Sequence, residues 1–136
     1  MKKIYSKVED GKLLHLINYK EDIIDRTNIC DAETFIQCAS LRMKKGDTFK
    51  PHKHIIQRVI HEEYIPQESW VVIKGSVKCV FYDLDNTVID EPILNVGDAS
   101  FTFYGGHTYE ILEDDTIVYE YKTGPYLCQE NDKKFI

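Results

Sequence analysis

No stretch of the chain stays apolar long enough to cross a bilayer, so no membrane anchor is expected. Basic residues are too few to balance the acids: 17 Lys and Arg stand against 23 Asp and Glu, for a formal charge of -6. Without a cationic excess to displace counterions from phosphates, general affinity for nucleic acid is not expected. Four cysteines, Cys30, Cys38, Cys79 and Cys128, contain no CxxC pair and no other compact thiolate cluster. The opening "MKKIYSKVEDGK" begins positively but runs into acids and a glycine where a secretion signal needs an apolar core. These absences together point to a cytoplasmic chain with reduced thiols, in which Cys38 and Cys79 are core residues of apolar strand patterns. Repeats, low-complexity tracts and linkers are also missing. The 136 residues therefore read as a single domain, 1–136, with enough chain for one hydrophobic core.

What is present is strand pattern. From about residue 35 onward, short runs rich in β-branched and aromatic residues alternate with Gly, Asp and Asn turns, as expected of an all-β sandwich or barrel. "FIQCASLRM" (35–43) predicts one strand. "SWVVIKGSVKCVFYDL" (69–84) predicts two, bent at Lys74-Gly75, and "DLDN" (83–86) the next reversal. "EPILNVGDASFTFYGG" predicts a strand, a turn over Asn95 to Asp98 and a further strand ending at Gly105-Gly106. "HTYEIL" and "TIVYEYKTG", flanking "EDD" (113–115), read as a hairpin. Near the N-terminus "KIYSKVE" and "KLLHLINY" can pair around Asp10-Gly11, whereas "EDIIDRTNICDAETF" suits a short helix or an irregular strap.

Chemistry concentrates in "FKPHKHIIQRVIHEEYIPQESWVVIKG" (49–75). Side chains two apart on a strand point to one face, so His52 and His54 converge. Glu68 opens a strand on which Trp70 and Val72 share its parity, and His107 follows two glycines small enough to turn the backbone sharply. Two imidazoles, a carboxylate and a third imidazole make a mixed nitrogen and oxygen shell suited to divalent Fe, Mn, Ni, Co or Zn, with positions left for water or substrate. Trp70 and Tyr109, on the faces of Glu68 and His107, are candidate cavity walls. Arg58, with the inward parity of the HxH pair, is a candidate fork for a substrate carboxylate or phosphate. Glu63, Tyr109 or a bound water would move the proton. His15, inside "LLHLI", reads as a packed residue, and His61 as surface.

These residues resemble the motifs of the cupin superfamily. Five residues lie between Gly46 and His52, His54 completes HxH, six residues lie between Glu68 and Gly75, and "GDASFTFYGGH" resembles the second motif ending in His107. Thirteen residues separate His54 from Glu68 where the family has three or four, which keeps Glu63 in view as the alternative carboxylate. The resemblance implies a double-stranded β-helix, or jelly-roll, cupin barrel over roughly 35–123 with N-terminal strands, often a homodimer, with the metal held by His52, His54, Glu68 and His107. It also implies a small-molecule ligand. Likeness to small bacterial cupins of surface-polysaccharide gene sets suggests a sugar or sugar nucleotide, and isomerase or epimerase chemistry in which the metal stabilises an enediolate. An Fe(II) dioxygenase and a non-enzymatic ligand-binding module are the rival readings.

Overall fold

The structure, a computed structural model, describes residues 1–24, 26–32, 34–40, 42, 45, 47, 48, 51, 64–123, 135 and 136. Eleven strands are formed among them: β1 (Lys2–Tyr5), β2 (Leu13–Asn18), β3 (Thr27–Asn28), β4 (Ala39–Ser40), β5 (Glu68–Lys74), β6 (Val77–Tyr82), β7 (Val88–Asp90), β8 (Ile93–Leu94), β9 (Ala99–Thr102), β10 (Gly106–Ile111) and β11 (Ile117–Lys122). One turn of 3-10 helix, Lys20–Asp22, is the only helical element among the described residues. No helix among them is long and apolar enough to cross a membrane. Among the described residues the fold is all-β and every strand pairing is antiparallel.

Two sheets make up the body. One has the order β1-β2-β9-β5-β11; the other runs β10-β6-β7, with β8 also paired to β6. Among the described residues no ladder joins the two sheets into a closed barrel. A buried cluster of Ile4, Ile17, Val72, Val77, Cys79, Phe81 and Leu94 draws on both sheets, so they pack face to face. The outer face of the larger sheet is covered as well. Leu16, Ala99, Phe101 and Phe103 pack there against Ile29, Cys30 and Ile36 of the segment carrying β3 and β4. Ile36 N–H donates to Gln67 Oε1 at 2.9 Å and Phe35 stacks on Tyr64, pinning that segment to the start of β5.

Local chemistry explains the joints. Gly75, at φ +78°, makes the bend between β5 and β6, and a Cβ there would strike Thr116 Oγ1. Asn86, at φ 69°, sits in the β6–β7 reversal, where Thr87 N–H and O–H both donate to Asp85 Oδ1. Asp83 in the same turn is buried and accepts from Ser6 Oγ and Lys7 N–H, both at 2.6 Å, and from Leu84 N–H. Burial alone would raise this carboxyl, but those donors hold it below its ordinary value. The turn and the first strand pair are thereby joined.

The strands at 69–84, the Asn95 to Asp98 turn and the β1–β2 pair follow the sequence reading. The segment after β2 forms the strap of that reading, with the short 3-10 turn at its start. One expectation is overturned: β10 and β11 do not form a hairpin. β10 pairs with β6 and β11 with β5, so the "EDD" turn carries the chain from one sheet to the other. The strand expected over 35–43 is described only as Ala39–Ser40. Cys79 is fully buried, Cys38 packs at the edge of the outer cluster, and Cys30, Cys38 and Cys79 are free thiols. Burial pushes the Cys30 thiol up to about 11 and that of Cys79 up to about 12, so both are protonated packing groups.

Candidate functional site

The strand registers lay the facing side chains of the two sheets into rows. Across the larger sheet Ile4 pairs with His15, His15 with Thr102, Thr102 with Glu68, and Glu68 with Lys122. Two residues along, the next row is Lys2, Ile17, Ser100, Trp70 and Glu120. In the opposing sheet His107 pairs with Phe81 and Tyr109 with Cys79. Corresponding rows meet. His107 Nε2 lies 3.1 Å from Glu68 Oε1, and the His15 ring stacks on Phe81 with centroids 4.3 Å apart. In the next row Trp70 stacks on Tyr109 at 3.9 Å, and Tyr109 Oη lies 3.2 Å from Ser100 Oγ. The interior thus changes from polar, through aromatic, to the aliphatic packing of Val72, Val77 and Leu94.

The polar row opens on a cavity of about 550 Å³ at the end of the sheets, where β9 leaves and β10 begins. Glu68, Thr102, His107 and Lys122 contribute its polar wall; Tyr82, Phe103 and Tyr104 contribute aromatic surface. Phe135 and Ile136 reach the same cavity beside Gly106. Glu68 and Thr102 are both less than a tenth exposed, so groups bound against them lie in a largely water-excluded environment. Gly105, at φ +76°, is required at the rim because a Cβ would come within 2.5 Å of the Tyr82 carbonyl oxygen.

Of the residues singled out from sequence, the structure brings Glu68 and His107 together, although they are 39 positions apart and belong to different sheets. His52, His54, Arg58 and Glu63 lie outside the described residues, as does His61. Trp70 and Tyr109 occupy the faces expected of them but are not among the walls of this cavity; they are stacked in the row beneath it. Trp70 Nε1–H donates to Glu120 Oε2 at 3.3 Å. Burial and the loss of hydration push the Tyr109 phenol far above its ordinary range, only partly countered by Ser100, so it stands as a neutral hydroxyl. His15 is packed, as expected, with no exposure at all.

The sequence reading passed over Thr102, Tyr82 and the structural part played by His15. A signal existed. In "ASFTF" the small polar residues alternate with phenylalanine, and the strand obeys that alternation with Ser100 and Thr102 facing the opposing sheet.

The donor set can be tested for a metal on its own geometry. Imidazole nitrogen and carboxylate oxygen each bind first-row ions at roughly 2.1 Å, so two neighbouring ligands stand about 3 Å apart. His107 Nε2–H donates to Glu68 Oε1 at 3.1 Å, a direct hydrogen bond whose length is also that of such an edge. His107 Nδ1 is buried and has no hydrogen-bond partner among the described residues, so this imidazole is not held by a full set of protein contacts. The pair fits two corners of a mixed coordination shell. No group of three or more His, Cys, Asp or Glu is gathered for a metal among the described residues.

Comparison with models of known families, with curated proteins and with solved structures yields no match.

Proposed function

We propose that the chain is a small metal-dependent enzyme of the cupin type, a jelly-roll barrel whose cavity takes a polar metabolite such as a sugar or sugar nucleotide. The observation that carries this reading is the His107 and Glu68 pair, delivered from two sheets to the polar end of one cavity at ligand-to-ligand spacing. His52 and His54, on their spacing in sequence, would complete the set, with Glu68 preferred to Glu63 as the carboxylate. A divalent ion bound there supplies a Lewis acid for a substrate carbonyl or hydroxyl, the chemistry an isomerase or epimerase requires.

The remaining work falls to the chain's own groups. Buried walls exclude water from the substrate's reacting end. Lys122, directly across the ladder from Glu68, lines the same cavity and adds a cationic side chain to its polar wall. Tyr109, neutral and bonded to Ser100, holds the layer under the cavity through its stack on Trp70; proton movement belongs to Glu63, on its place in sequence, or to a bound water. A cytoplasmic location and a homodimer belong to the same reading.

Elemental analysis of protein purified without an affinity tag tests it. Near-stoichiometric metal is expected in the native chain. Content should fall at least ten-fold in His107→Ala and in the double variant His52→Ala and His54→Ala, and Glu68→Gln should lose more than Glu63→Gln. Unchanged metal in the double variant would sink the assignment.

A further inference from the structure

Gly106 opens β10 and is the ladder partner of Tyr82 in β6. Unlike Gly105 beside it, Gly106 does not have a positive φ, so the backbone there would accept an L side chain. What sets the position apart is space. A Cβ at 106 would stand 2.7 Å from Ile136 Cδ1 and 3.2 Å from Tyr82 Cβ, with Tyr82 Cδ2 at 3.5 Å. The missing carbon leaves a notch, floored by Tyr82, and the tip of Ile136 fills it.

The notch lies on the cavity. Gly106, Tyr82, Phe135 and Ile136 all line it, and so does His107, the next residue along β10. Ile65 and Pro66, exposed just ahead of β5, add apolar surface to the same lining. Yet Ile136 is 63% exposed and Phe135 80%, so most of both side chains is uncovered. Burial holds a side chain in proportion to the apolar area it removes from water, and here that area is small. Phe81 and Phe101, fully enclosed between packed layers, cannot leave without opening the core; Ile136 can leave its notch and disturb nothing else. Such a contact is a cover and not a part of the core.

We propose that Phe135 and Ile136 form an apolar cap on the cavity, seated by Gly106 against Tyr82, which governs access to the end that holds His107. A ligand entering there lifts the cap from its seat. The cap deepens the reading of the cavity as a metabolite site and rests on that cavity, but it needs no metal.

NMR on the full chain, stripped of metal by a chelator so that the result is separate from the metal assignment, tests the seat and the cover in turn. In the native chain the Ile136 δ1 methyl should give nuclear Overhauser contacts to the Gly106 α protons and to the Tyr82 ring. With a neutral gadolinium chelate in solution, relaxation of the Tyr82 and His107 ring protons should rise at least about two-fold in Ile136→Gly, because the side chain that kept the chelate one contact distance away is gone. Adding Phe135→Ser should raise it further. The ring protons of His15 and Phe81, which are fully buried, should not respond. Gly106→Ala should abolish the Overhauser contacts and raise the same relaxation, and in combination with Ile136→Gly it should add nothing. The variants at 135 and 136 change only exposed side chains, so they report even where the alanine at 106 prevents folding. Absence of the Overhauser contacts in the native chain, unchanged relaxation in Ile136→Gly, or a rise at His15 equal to that at His107 would overturn the proposal.

Discussion

Trp70 of β5 and Tyr109 of β10 lie face to face across the two sheets, their ring centroids 3.9 Å apart and their planes within 9°. Tyr109 Oη is also held near Ser100 Oγ, so one side chain joins β10 to two strands of the opposing sheet. This is the layer on which the polar row of Glu68 and His107 rests. Tyr109→Phe should keep the stack and lose only the hydroxyl contact, costing about 1 kcal/mol in urea unfolding. Truncation to alanine should cost about 3–5 kcal/mol, and a double-mutant cycle with Trp70→Ala should show coupling of about 0.5–1.5 kcal/mol. Strict additivity of the two alanine variants would mean that the rings do not interact.

The buried ring of His15 makes stability depend on pH in a defined sense. Burial lowers its pKa from 6.5 to about 4, with the Tyr82 carbonyl opposing that shift in part. The unfolded chain therefore takes up a proton in this interval before the folded chain does. The stability that the neutral ring contributes is complete above pH 6.5 and is lost progressively as the pH falls toward 4. The loss from this one group is on the order of 3 kcal/mol. Urea unfolding of the native chain and of His15→Gln over pH 7.5 to 4.5 checks it: the variant should show the flatter profile. Parallel profiles, or a ring that titrates near 6.5 by NMR, would contradict it.

Two glycines with similar backbone angles should respond differently to alanine. Gly11, at φ +73°, has open space where a Cβ would go, so Gly11→Ala should cost only the strain of the left-handed conformation, about 1 kcal/mol. At Gly105, φ +76°, the added carbon would meet the Tyr82 carbonyl oxygen at 2.5 Å and His15 Nε2 at 3.3 Å. Gly105→Ala should therefore cost clearly more, at least about 2 kcal/mol, and should disturb the His15 ring resonances. Equal destabilisation of the two variants in urea would show that the rim is not packed as described.

Turns were the most legible part of the fold because their cause is local. Gly75 and the "DLDN" run each announce a reversal, and each makes one at a positive φ, at Gly75 and Asn86. The partner of a strand is not local information. "HTYEIL" and "TIVYEYKTG" have the composition of a hairpin, yet His107 and Tyr109 pack from the smaller sheet against residues of the larger one that carries β11. A turn such as "EDD" serves either connection equally well, so only the packing of both strands distinguishes them.

Burial on both faces hid the rest. In β2 the alternation that marks a half-exposed strand is absent, because Leu16 packs under the covering segment while His15 and Ile17 face the other sheet. A histidine inside "LLHLI" consequently reads as mere packing. Likewise "ASFTF" invites the assumption that phenylalanine faces the core and threonine the solvent, whereas both sides of β9 are interior.

The order of residue types was enough to establish an all-β chain, the positions of its main reversals, and Glu68 and His107 as groups worth watching, since each depends on neighbours within a few positions. That those two groups approach within 3.1 Å, and that the His15 ring stacks on Phe81, was decided by the stacking of one sheet on another. Contacts between rows of different sheets join residues tens of positions apart, and no local preference of the chain encodes them.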